Sequence, residues 1–143
     1  MIKNKKYYKS FSLIEVLVFT AVLGLFFVAA ISVTTFNLKN MKIQEHKILA
    51  TRYAEEGVEW LKQEKEDGWV EFIARGSATP GTTYCLNSLG WTPPSSCAGY
   101  SLGIIFKREL VIKDSGETKI TVYWQDMGTD LKVEINTVFK LLE

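Results

Sequence analysis

Histidine, cysteine and proline are scarce in this chain of 143 residues, which holds one His, two Cys and three Pro. Cys85, Cys97 and His46 make up the whole set of soft metal ligands, with no C-x-x-C and no H-x-x-x-H, which argues against a structural zinc site. The hydrolase signature G-x-S-x-G, the P-loop and the dinucleotide fingerprint G-x-G-x-x-G are absent as well. An enzyme is therefore the weaker expectation, and no cofactor is implied. Charge of one sign is also lacking: 17 basic against 16 acidic side chains leave a net +1, without the overall basicity of a nucleic-acid protein. Nothing in the sequence identifies a cargo such as DNA.

What is present is unevenly distributed. Residues 1–10, MIKNKKYYKS, hold Lys3, Lys5, Lys6 and Lys9 and no acid, so the remainder is mildly acidic. From Val16 to Leu38 no residue is charged, and as a helix rising about 1.5 Å per residue this run would extend roughly 35 Å, slightly more than a hydrocarbon core. The lysines before it are denser than Lys39, Lys42 and Lys47 after it, which by the positive-inside rule leaves the N-terminus in the cytoplasm and the rest outside. Three readings of the segment compete. A secretory signal cut near Val28-Ala29-Ala30 would need an apolar region longer than the usual one and would have to tolerate Glu15. A plain signal anchor makes Glu15 an accident near the headgroups. The third reading gives Glu15 a task.

Lys9-Ser10-Phe11-Ser12-Leu13-Ile14-Glu15-Val16-Leu17-Val18 resembles the processing site of type IV prepilins and pseudopilins. Basic leader, small residue, Phe, hydroxyl residue and Leu-Ile-Glu fall in register, and the apolar stretch follows the junction instead of preceding it. The chain departs from the family by carrying Ser10 where Gly usually stands before the cut, and Ser is small enough for a tight subsite. The resemblance covers roughly residues 5–35. It implies removal of leader 1–10 by a prepilin peptidase acting between Ser10 and Phe11, N-methylation of Phe11, and Glu15 as the fifth mature residue. It further implies other pilins, an assembly platform protein and a cytoplasmic ATPase as partners. The product would be a filament outside the cell or in the periplasm. Glu15 would meet the new amine of a neighbouring subunit within the packed helices. Taken alone, an acid in the first turn of a helix is explained by the helix dipole.

The remainder reads as α+β. Residues 11–38 form the apolar half of a long helix and residues 39–68 its amphipathic half. Ala50, Tyr53, Ala54, Gly57, Val58 and Leu61 share one face, with Glu55, Glu56, Glu59, Lys62 and Gln63 opposite. Asp67-Gly68 supplies the stop. His46 reads as a solvated residue, and the glutamates as a soluble surface. Residues 69–143 form a β head. Alternation predicts a three-stranded antiparallel meander from Tyr100–Lys113, the segment around Ile120–Trp124, and that around Leu131–Thr137, packed on the outer half of the helix. Ser77–Tyr100, rich in Gly, Pro, Ser and Thr, reads as a surface loop. Its Cys85 and Cys97 are expected to pair as a staple in an exported protein, a reactive pair being the alternative. Trp91 fits equally a binding aromatic or an anchor for the loop, while Trp60, Trp69 and Trp124 fit helix-to-sheet packing. The rival to a filament subunit is a single-span receptor whose Ser77–Tyr100 loop contacts a ligand.

Overall fold

In a computed structural model, residues 12–126 and 128–141 are described; the junction Ser10–Phe11 lies outside them. The chain forms two compact units, one ending at Met41 and one comprising Lys42–Glu143. Helix α1, Leu13–Asp67, contributes to both.

Within the first unit α1 exposes an almost unbroken apolar surface, among it Leu17, Phe19, Phe26, Phe27, Ile31 and Phe36. It is long and apolar enough to cross a membrane. The hydroxyls of Thr20, Ser32, Thr34 and Thr35 donate to carbonyls three or four residues earlier, at 2.9–3.0 Å. These local bonds satisfy polar groups within the helix itself, as a hydrocarbon solvent requires.

The second unit is a helix-on-sheet layer. The last part of α1 buries Ala50, Ala54, Gly57 and Leu61, the stripe read from the sequence. It ends at Asp67, as expected, but the chain then makes a second helix, α2, Trp69–Ala74, where strand-like structure was expected. Gly68 in extended conformation separates the two, and Phe72 turns α2 into the core, where it meets Phe139 edge-on at 5.5 Å. The sheet has four antiparallel strands in the order β1-β2-β3-β4, not three. These are β1 Thr82–Cys85, β2 Phe106–Ile112, β3 Glu117–Asp126 and β4 Thr129–Val138.

The additional strand, β1, lies inside the segment read as loop. It holds Thr82-Thr83-Tyr84, strand formers by composition, but Pro80-Gly81 before it and a Pro-rich stretch after it hide so short a run. The strand expected from Tyr100 begins only at Phe106, because Leu102 and Phe106 bond to each other across a tight turn at Gly103–Ile105.

Alternation then builds the core. β2 turns Phe106, Arg108, Leu110 and Ile112 toward the helix, and β3 adds Ile120, Val122 and Trp124. Gly57 is where helix and sheet approach most closely: a Cβ there would stand 3.0 Å from Ile120 Cδ1 and 3.3 Å from Arg108 Cδ. Cys85 and Cys97 are disulfide-bonded, as expected. Closing a loop of this length contributes about 3 kcal/mol by restricting the unfolded chain.

Candidate assembly surface and head

In the first unit, Ser12 precedes the helix, and its carbonyl accepts from the amides of Glu15 and Val16. Glu15 is the acid of the first turn. It borders a shallow apolar depression with Ile14, Val18, Phe19 and Val22, and it makes no ion pair among the described residues. The geometry is an isolated carboxylate on an exposed apolar helix, which in a dry environment demands a cationic partner. Gly24 has open space where a Cβ would stand, leaving room for a close helix neighbour. The expected partner amine belongs to Phe11, outside the described residues.

In the head, the residue that sequence reasoning missed is Arg108. It is 1% exposed on the core face of β2. Its Nε donates to the Leu86 carbonyl at 2.9 Å, and its Nη1 donates to the Tyr53 carbonyl at 2.6 Å and to Glu56 Oε2 at 2.9 Å. One guanidinium thus ties the helix backbone to the segment following β1. A cation there costs desolvation and is held by several oriented acceptors, only one of which is charged. Glu56, assigned to the soluble face, is therefore a structural partner, with its side chain still half exposed. The alternation of β2 marked position 108 as inward, and an Arg in that phase was the available signal.

His46 also departs from expectation. It is half-buried, meets Phe106 edge-on with ring centroids 6.1 Å apart, and its Nδ1 is buried without a partner among the described residues. The choice left open for Trp91 falls to the anchor. Its indole packs against Trp60 at 5.0 Å and Tyr84 at 5.2 Å, lies under the Arg75 guanidinium at 4.3 Å, and donates to Glu64 at 2.5 Å. Trp60, Trp69 and Trp124 all join or flank the core.

On the outer face of the sheet an open groove of about 550 Å³ is lined by Pro80, Val111, Lys113, Lys119 and Asn136, among others. Lys113 there pairs with Glu117 at 2.5 Å, so the groove is charge-balanced on that side. Among the described residues no cluster of His, Cys, Asp or Glu could hold a metal ion. Beside it, Lys132 and Glu134 bond on exposed β4 at 2.9 Å, the hydrogen bond raising the lysine pKa and lowering that of the carboxyl. No family model, no curated protein and no solved structure matches the chain.

Proposed function

We propose that the chain is a structural subunit, a minor pilin or pseudopilin, of a type IV pilus or a type II secretion-like filament, assembled through its N-terminal helix. One observation carries the reading: basic leader, Ser10, Phe11 and Glu15 stand in fixed register immediately before an uncharged run long enough to span a bilayer. The precursor is a single-pass membrane protein with its N-terminus cytoplasmic. A prepilin peptidase removes residues 1–10, Phe11 is N-methylated, and an assembly platform and ATPase extract the subunit into the filament. Because the apolar helix exchanges lipid for helix contacts, hydrophobicity gains little on assembly. Packing, the Glu15 carboxylate and an external motor supply the rest.

Mass spectrometry of the mature N-terminus tests this. In membranes containing an active prepilin peptidase the expected product begins at N-methylated Phe11. An intact Met1, or its demethionylated form, would reject the pilin reading and leave a single-span receptor. A start near Ile31 would indicate an ordinary signal peptide.

A further inference from the structure

The tight turn between Leu102 and Phe106 carries an apolar tip that the fold does not use. Ile104 is 85% exposed and Ile105 beside it is 36% exposed. Ile104 also has φ 77°, in the left-handed region that a β-branched side chain rarely adopts. Gly103 allows the turn to close on the helix: a Cβ there would stand 2.6 Å from the Tyr53 hydroxyl. A solvated Ile104 at a strained tip, with a partly exposed Ile105 beside it, does not serve solubility and calls for an apolar environment.

The direction of β2 says where the tip points within the second unit. Arg108 reaches Tyr53 and Glu56, whereas Phe106 meets His46 and Tyr53, so the strand followed backward runs toward the N-terminal end of this unit's helix. Gly103–Ile105 lie beyond Phe106 in that direction. At the opposite end, Gly116 of the β2–β3 turn abuts Phe139 and Ile73 of α2. Within the second unit the tip therefore occupies the end at which its helix begins, and in sequence seven residues lie between Leu38 and His46.

The tip's surroundings suit a lipid interface. Lys107 lies over the rings of Tyr100 and Tyr123, at 5.5 and 4.9 Å, giving the amphipathic aromatics and lysine that favour the headgroup layer. Lys42, Lys47, Arg52 and Lys107 are balanced here by Glu45, Glu109, Asp126 and Asp130, so this end has no charge of one sign with which to recruit a polyanion. We propose that Gly103–Ile105 is a membrane-interface anchor that seats the head on the outer surface of a phospholipid bilayer. The proposal rests on residues 16–38 spanning that bilayer; it does not require the filament.

The test uses the full chain in vesicles of phosphatidylethanolamine and phosphatidylglycerol. Because the native cysteines are paired, Ile104→Cys, Ser115→Cys and Val28→Cys each supply one thiol for an environment-sensitive fluorophore. Lipids with a nitroxide near the headgroup should quench the label at 104 several-fold more than at 115, and lipids with a deep nitroxide should quench 28. Adding Ile105→Glu should return 104 toward the level of 115. Equal quenching at 104 and 115, with 28 quenched, would overturn the anchor while leaving the span intact. A blue-shifted but unquenched label at 104 would also overturn it, by showing a protein neighbour in place of lipid. An unquenched label at 28 would overturn the span and the anchor together.

Discussion

Glu15→Val is expected to leave membrane insertion and most leader removal intact while reducing incorporation into filaments tenfold or more. The substitution lengthens the uncharged run, so anchoring should improve if it changes at all. What is lost is the only acid in the run from Ser12 to Leu38, and with it the partner for a neighbour's new amine. At about 4 Å and an effective dielectric near 20 the gross attraction is on the order of 4 kcal/mol, offset in part by desolvating both charges. A net of only ~1.4 kcal/mol per subunit is a tenfold bias at each addition, enough to select one axial register. Sheared filaments and membrane-bound subunit, compared between wild type and variant, measure it. Equal incorporation would reduce Glu15 to a charge favoured by the helix end and strengthen the receptor reading.

In the head, Arg108→Met should lower stability by about 2 kcal/mol, because the buried Leu86 carbonyl loses its donor and the Tyr53 carbonyl keeps only its helical one, while an apolar side chain fills much of the volume. Glu56→Gln should cost less than ~1 kcal/mol, since its carboxylate is half exposed and returns to water. The two variants separate the roles of the guanidinium. If the carbonyls dominate, the urea midpoint of the oxidised protein in detergent moves far more for Arg108→Met than for Glu56→Gln. Equal shifts would assign the role to the ion pair.

The parts of the fold set by period and punctuation were legible in the sequence. The stripe from Ala50 to Leu61 is a helical period long enough to stand above noise. Asp67-Gly68 ends the helix, and the alternation around Ile120 and Leu131 places β3 and β4. Short elements escaped for a physical reason: Thr82–Cys85 and Trp69–Ala74 are too brief to carry a period, and the rest of the fold holds them in place. Arg108 and His46 escaped for another. Their polarity argues for water, and only the three-dimensional supply of carbonyls around Arg108 makes its burial tolerable. The proposed assembly site rests on the sequence motif alone, because the processing and the neighbours through which Ser10, Phe11 and Glu15 would act are not contained in one chain.

Strand β4 is the last of the sheet, with no further strand beside it among the described residues, and this has a kinetic consequence. The Phe139 amide bonds to the Gly116 carbonyl, which fixes the phase of the ladder: along β4 the odd-numbered residues bond to β3 and the even-numbered ones face away. Deuterium should therefore enter β4 in alternation, rapidly at Lys132, Glu134 and Asn136 and slowly at Leu131, Val133 and Ile135, a contrast that amide exchange followed by NMR resolves residue by residue. The same strand thus records two clocks, one set by solvent and one by the opening of the sheet. Any subunit that adds a strand to this margin would bring the fast clock to the pace of the slow one.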